Sequence, residues 1–583
     1  MPSANEITTL YIATFNRAPD ADGLHYWEES GLDIESIAAS FFDQPETQEL
    51  YPPQTGTEEF INAVYNNLFN RSAEPEGLAY WKEQLDSGAV SRHHFILALI
   101  NGALNDDFTI LQNKTTAGLL YVEYGLNNLD IAHEVIDIIT VDPASIDEAE
   151  ALIAQSETST LLDQAYENFS YTNLLTASLP TADTYGVAAL DSGMRWGDDI
   201  HTLTYTFPDT MPNEYEGILS DWAPLPHSVR EAVRTLLDGI EEIVDLQFIE
   251  TQENGEIRFN LEPLDPIAGY AYYPSPNGDL YGDIFLDKYL FENPNEEWLT
   301  KDADGMATIA HELGHALGLK HPFEDETTLL ENEDNITRSL MSYNDSFAWH
   351  ITFEETDSEY IAQTELFAPY PYAIYDIATL QSIYGANIHT RTENNVYRYD
   401  FTKMNFITIW DAGGNDTIDL SNNTGASFIN LSPGSINNVD FHTKQSLKNY
   451  YAQSINSHIF DDWIDNLYDA KLLYNGTDAL SIAYGVWIEN LITGSGNDIV
   501  YDNAVDNFIQ TGAGNDALYV GAGGFDTVDG GEGYDTLYLN SNSSDVHFYE
   551  TRDGLLIEGD NFALLTREFE VAIFTDGTTV ELN

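Results

Sequence analysis

A chain of 583 residues with 43% hydrophobic residues exceeds what one core fills, so several domains are expected and a disordered acidic tail is excluded. Its 98 acidic residues against 21 basic ones give a formal charge of −77, a surface that repels nucleic acid and anionic membranes and needs screening by calcium or a salty medium. There is no cysteine, which excludes disulfides and thiol chemistry, and no run of about 18 apolar residues for a membrane span. The first residues, from Met1 to Glu6, lack the basic start and apolar core of a secretory signal, so export is expected to use another address. A solvated, halophile-like surface accounts equally well for the acids outside the glycine-rich tail.

Residues 1–105 carry an internal repeat. Tyr11, Phe15, Asn16, Arg17, Gly23, Leu24, Tyr26 and Trp27 recur as Tyr65, Phe69, Asn70, Arg71, Gly77, Leu78, Tyr80 and Trp81. Each unit reads as an apolar-striped helix, an acidic turn ending in glycine, and a second helix opened by Leu-x-Tyr-Trp. The turns Asp20–Gly23 and Glu74–Gly77 are too short for an EF-hand loop, so their acids are expected to cap helices. The pattern resembles an uncharacterised domain family of repeated R-x-P-D-x-x-G-L-x-Y-W units in large secreted bacterial proteins, which implies a context and no activity. The second unit departs from it at Ala73-Glu74, where the first has Pro19-Asp20.

Residues 106–184 read as helical extension and linker. Segments 116–123 and 147–153 have helical apolar spacing, the first interrupted by Gly118, and a Ser/Thr-rich stretch near 171–185 reads as the linker.

From Tyr185 the grammar is α+β: the alternating strand 203–207, an amphipathic helix from Val229 to Val244, the strands 257–261 and 284–286, then a second helix that Asp304 is expected to cap. That second helix holds His311-Glu312-Leu313-Gly314-His315. Residues four apart share a helix face, so His311 and His315 can ligate one ion with Glu312 beside them. Gly318 can stop the helix in a left-handed turn that delivers His321 as a third ligand. Three protein ligands suit zinc with water in the fourth position and Glu312 as its base. Met341, about twenty residues on, stands where a methionine turn beneath the metal is expected.

At these residues the chain resembles the metzincin zinc proteases, and within them the serralysins, secreted bacterial endopeptidases. The resemblance implies that Tyr343 ligates zinc at rest and swings away to stabilise the oxyanion; from the sequence alone Tyr343 reads equally as a packed aromatic. It also implies that Gly269, Tyr270, Ala271 and Tyr272 lie on an edge strand that receives substrate, and that residues 376–387 form a closing helix.

Beyond Tyr384 glycine and asparagine alternate with short β-rich runs. Gly413–Asp419 opens this region, and the motifs around Gly494, Gly496 and Asp498, Gly512, Gly514 and Asp516, Gly521 and Asp526, and Gly530, Gly531, Gly533 and Asp535 fit the nonapeptide that binds calcium in RTX β-rolls. Glycines permit tight turns with inward carbonyls, aspartate supplies charge, and the aliphatic position fills a thin core between two parallel sheets. Asn507 replaces the aspartate in a unit without glycines, and the step from Asp516 to Asp526 is ten residues instead of nine, so calcium is in question at both places. Residues 440–472, with Tyr450, Trp463 and Tyr468, interrupt the region without an explanation from sequence. In the families resembled, such repeats accompany type I secretion.

The expectation is therefore a multidomain chain: a tandem helical repeat domain (1–105), a helical extension and linker (106–184), an α+β metzincin zinc protease domain (185–390), and an all-β parallel β-roll with secretion region (391–583). Function is read as a secreted, extracellular zinc endopeptidase with one catalytic zinc and several structural calcium ions, acting on protein or peptide substrates, exported by a type I apparatus, with a surface partner for the repeats. The other reading is a calcium-dependent surface-layer or adhesin-type binding protein using the protease fold as scaffold. The intact zinc triad, base and turn methionine argue against it.

Overall fold

Capping side chains lay out the N-terminal helices. In the computed structural model, residues 2–582 are described except 53, 124–127, 154–180, 182–183, 198–199, 220, 276–279, 356–359 and 402. Ser3 and Glu6 form a capping box that opens helix Ala4–Phe15, and Asn16 closes it at φ 55°. Asp20 opens Ala21–Glu29 by accepting from the Gly23 amide, and Asp33 opens Ile34–Phe41. The second repeat follows with Thr57–Phe69, Pro75–Asp86 and Arg92–Gly102. Each unit thus has a third helix, which the recurring residues could not reveal because they all lie in the first two or in the turn between them. Gly23 sits inside the helix it was expected to precede, and a Cβ there would lie 2.8 Å from the Tyr11 hydroxyl. Glu74 makes no cap hydrogen bond and pairs with Arg71 instead. The repeated arginines close each unit: Arg17 binds Glu46 and Arg71 binds Asp107, each stacked over its own helix's aromatic rings.

Helix Asp106–Glu123 packs on these repeats, its buried Lys114 ammonium donating to the Asn67 carbonyl at 2.7 Å. Gly118 does not interrupt it; a Cβ there would meet Thr8 at 2.8 Å, so the glycine permits close helix packing. Most of the expected linker near 171–185 lies outside the described residues. Contacts divide the chain into two compact units, Met1–Glu167 with Glu550–Asp553, and the remainder.

In the second unit a five-stranded sheet is built from β1 (Thr202–Thr206), β2 (Gln247–Glu250), β3 (Ile257–Glu262), β4 (Gly269–Ala271) and β5 (Asp283–Asp287), in the order β2-β1-β3-β5-β4. β4 is one of the two edges, opposite β2, and the one antiparallel strand, paired to β5. β2 was not foreseen, because it is short and mostly exposed and has no alternation to announce it. Helix His227–Glu241 buries Val229, Val233, Leu236, Leu237 and Ile240, one face at helical spacing. Helix Asp304–Ala316 carries the histidines. Its N-cap is Ala303, so the expected cap by Asp304 is wrong by one position: Asp304 is the first helical residue and its carboxylate accepts from the Trp298 indole. At the other end, Trp196 and Tyr384 donate to the Ala316 and Leu317 carbonyls at 2.8 and 2.7 Å, satisfying groups that a helix terminus leaves open.

The C-terminal region winds between an eight- and a nine-stranded sheet. Leu491, Ile509 and Val528 on one sheet and Val500, Leu518 and Leu537 on the other fill the space between them, all in parallel register. The roll is not parallel throughout: strands Gly554–Glu558, Ile436–Phe441 and Thr579–Glu581 pair antiparallel near its edges. Residues 440–472 contain helices Lys444–Ile455 and Asp461–Asp469, which bury Leu447, Tyr451 and Ile464 against Ile351 of the hairpin Trp349–Glu355/Tyr360–Leu366. The insertion is a satellite core for that hairpin.

Candidate metal centres

His311, His315 and His321 bring one ring nitrogen each to a common point, the only such group of three potential ligands among the described residues. Nε2 of His321 lies 3.2 Å from Nε2 of His311 and 3.1 Å from Nε2 of His315. These are not hydrogen bonds, because each Nδ1 is already committed as a donor: His311 to the Leu340 carbonyl (2.7 Å), His315 to the Leu319 carbonyl (2.8 Å) and His321 to the Glu324 carboxylate (2.8 Å). Three lone pairs therefore face one another. Tetrahedral bonds of 2.0–2.1 Å from one zinc would place such nitrogens about 3.3 Å apart, so the residues fit the ion. Burial holds His311 and His315 neutral, down to about 3 and about 4, as ligands must be.

The backbone delivers His321 as expected. Gly318 takes φ 106°, and a Cβ there would strike the Met194 carbonyl at 2.3 Å. Met341 is wholly buried beneath the helix, its sulfur 2.7 Å from where a Cβ on Gly314 would stand. Glu312 is buried, with Oε2 unpartnered; burial pushes its carboxyl up to about 8, and a cation among the histidines would draw it back down. β4 passes close: a Cβ on Gly269 would lie 2.8 Å from Glu312 Cγ. Tyr270 stacks on Phe285 and binds Glu262, Ala271 pairs with Ile284, and Tyr272 is exposed. Tyr343 is 70% exposed, and its ring lies against the metal-facing histidines, its centroid 4.6 Å from that of His321 and 5.7 Å from that of His311.

Sequence reasoning missed the residues that hold the ligands. Asp376, fully buried, accepts from Ser339 Oγ (2.6 Å), Leu340 N (2.7 Å) and Ala373 N (3.1 Å), pinning the methionine turn and with it the carbonyl that orients His311. Glu324 does the corresponding task for His321. Neither carboxylate belongs to a short motif; the only signal was an acid three residues after the last histidine and one in the first turn of helix Ile374–Tyr384.

In the roll, each aspartate splits its two oxygens. Oδ1 of Asp498, Asp516 and Asp535 accepts the amide of Ser427, Asp498 and Asp516 respectively, at 2.6–2.8 Å. Oδ1 of Asp526 accepts from Asn507 N. Oδ2 of all four, and of Asp416, is buried without a partner. Burial raises Asp498, Asp516 and Asp535 to about 6, and it holds Asp526 well above its ordinary value too. The glycines stack carbonyls beside them. A Cβ on Gly494 would hit the Asn423 carbonyl, on Gly496 that of Gly425, on Gly512 that of Gly494, on Gly514 that of Gly496, on Gly530 that of Glu568, on Gly531 that of Gly512 and on Gly533 that of Gly514, all within 2.2 Å. Orphaned carboxylate oxygens beside carbonyls form an all-oxygen donor set that fits calcium. Gly521 differs, its amide donating to Asp502. At the unit without aspartate, the Asn507 side-chain amide donates to the Ile488 and Glu489 carbonyls and to Asn503 Oδ1, so an N–H stands where the aspartate units leave a carboxylate oxygen unpartnered. Asp416, with Glu489 accepting its amide at 2.7 Å, repeats the aspartate arrangement at the start of the roll; it stands in phase in Gly413-Gly414-Asn415-Asp416 but was not assigned.

Two family models match the chain: "Domain of unknown function (DUF4214)" over residues 38–106 and "Peptidase M10 serralysin C terminal" over 373–446. The chain is 30% identical over 330 residues to Serralysin from Photorhabdus sp. (strain Az29), covering 52% of this chain and 60% of that protein. It is 29% identical to Serralysin from Photorhabdus luminescens, covering 60% and 68%, and 28% identical to Metalloprotease AprA from Pseudomonas entomophila (strain L48), covering 57% and 65%. The match thus spans under two thirds of the first of these relatives. Among solved structures, myroilysin aligns over 34% of this chain and 98% of its own at 13% identity, with a TM-score of 0.20, too low to carry an argument.

Proposed function

We propose that this chain, a relative of the serralysins, is a secreted zinc-dependent endopeptidase. The observation that carries the reading is the convergence of three Nε2 lone pairs whose Nδ1 protons are all engaged, an arrangement that only a cation relieves. Zinc, when bound, supplies Lewis acidity and lowers the pKa of water at its open position. The chain's own groups do the rest. A peptide adds to the edge strand β4 through main-chain hydrogen bonds, which presents its carbonyl beside Glu312. Glu312 takes the proton of the attacking water and passes it to the leaving amine. The Tyr343 hydroxyl, exposed at the mouth, donates to the developing oxyanion.

The roll, with Asp498, Asp516, Asp526 and Asp535, serves as a calcium-dependent folding unit that forms in calcium-rich medium after type I export. Residues 1–105 act as a docking module, and 106–184 as its extension and linker to a protease domain over 185–390. The test is chelation followed by restoration: protein stripped of metal should lose hydrolysis of an unstructured protein such as casein, and zinc added in the continued presence of calcium should restore it. Failure of zinc to restore cleavage in folded protein overturns the reading.

A further inference from the structure

The three ligands differ in what stands behind them. His311 and His315 donate Nδ1–H to backbone carbonyls, whereas His321 donates to a carboxylate, Glu324 Oε1 at 2.8 Å. Neutral imidazoles bring no charge to a dication, so among the described residues this is the one formal negative charge hydrogen-bonded to the ligand set.

An exposed ion pair is worth little if its carboxylate is free to wander. Glu324 is not free. Lys320, 5% exposed, extends its ammonium to the Glu324 carbonyl (2.7 Å) and the Thr327 carbonyl (3.2 Å). The Glu324 amide donates to the His321 carbonyl, Leu329 N closes the loop onto the Pro322 carbonyl, and Asp325 turns the chain at φ 66°. Phe323 lies flat on His321, 3° from parallel at 5.2 Å between ring centroids, and holds the imidazole from its face while Glu324 holds it from its edge. The backbone bearing the carboxylate is thus fixed at both sides by a buried lysine and a closed loop.

We infer that Glu324 is a positioning residue for the proposed zinc centre: it fixes the tautomer and orientation of His321 and brings a negative charge to the edge of the ligand set. This rests on the endopeptidase reading and concerns metal retention. A carboxylate behind a metal-bound histidine is worth roughly 10- to 100-fold in affinity, because it strengthens the ligand and removes its rotational freedom.

The experiment measures zinc dissociation constants by chelator competition on the full chain in calcium, comparing the parent with Glu324→Ala and Glu324→Gln. Glu324→Ala should weaken zinc by roughly 10- to 100-fold, and Glu324→Gln, which keeps an acceptor and loses the charge, by about 10-fold. Glu324→Gln should keep the parent's circular dichroism spectrum under saturating zinc while its cobalt-loaded form shows a shifted visible absorption spectrum, a change that a merely structural role would not produce. Dissociation constants within twofold of the parent for both variants overturn the inference. A parent that binds no zinc overturns the proposed function instead.

Discussion

Withholding calcium, the ion proposed for the roll, should expose a cost set by its buried aspartates. Asp498, Asp516 and Asp535 rise from 3.8 to about 6 through burial, and each keeps one oxygen without a partner. A rise of about two units corresponds to about 3 kcal/mol per ionised group, and roughly half of that after allowance for solvent screening and mutual coupling. The three then cost about 4–5 kcal/mol, a large part of the 5–15 kcal/mol that stabilises a typical domain. A carboxyl whose folded pKa lies above its unfolded value destabilises increasingly as pH rises from about 4 to about 6, and the cost is complete above that window. Calcium reverses the slope, because it binds the ionised form. The assay is thermal unfolding of the full chain across about pH 4.5 to 7.5, in chelator and in excess calcium, followed by circular dichroism in the β region. In chelator the roll transition should fall as pH rises; in calcium it should rise. A calcium-free transition that is flat or climbs with pH refutes the reasoning, since the orphaned oxygens would then carry no cost.

Asp376→Ala leaves the Ser339 hydroxyl and the Leu340 and Ala373 amides facing an apolar cavity, a loss of about 3 kcal/mol or more that should lower the melting temperature and weaken zinc through His311. An unchanged melting temperature would show that the methionine turn is held by other contacts. Asn507→Asp replaces an N–H donor with a carboxylate among the Ile488 and Glu489 carbonyls, so calorimetry should find one more calcium bound than in the parent. Unchanged stoichiometry would mean that the turn lacks ligand geometry for reasons beyond its amide.

Much of this arrangement is legible in sequence because short-range rules write it. His311 and His315 share a face by helical period, Gly318 turns the chain at φ 106°, a conformation that favours glycine, and the roll glycines recur in phase with aspartate. What stayed hidden depends on partners remote in sequence. Asp376 reaches back 37 residues to Ser339, the helix end is satisfied by Trp196 and Tyr384, and Tyr451 packs under a hairpin 100 residues earlier, with its hydroxyl bonded to the Ile351 amide. The third helix of each repeat escaped for another reason: Ile34–Phe41 and Arg92–Gly102 share too little sequence for self-comparison, although Phe41 and Phe95 fill the same kind of core. The cap of the histidine helix failed at Asp304 because an acid in the first turn and an acid at the cap look alike without the φ angle of Ala303.

In the proposed mechanism one buried carboxylate, Glu312, activates water beside three histidines. Glu312→Gln tests it most directly, with zinc content and casein turnover measured on the same sample. The variant should hold a single zinc as tightly as the parent and lose at least about 100-fold in turnover. A variant that retains its zinc and cleaves at the parent rate contradicts it.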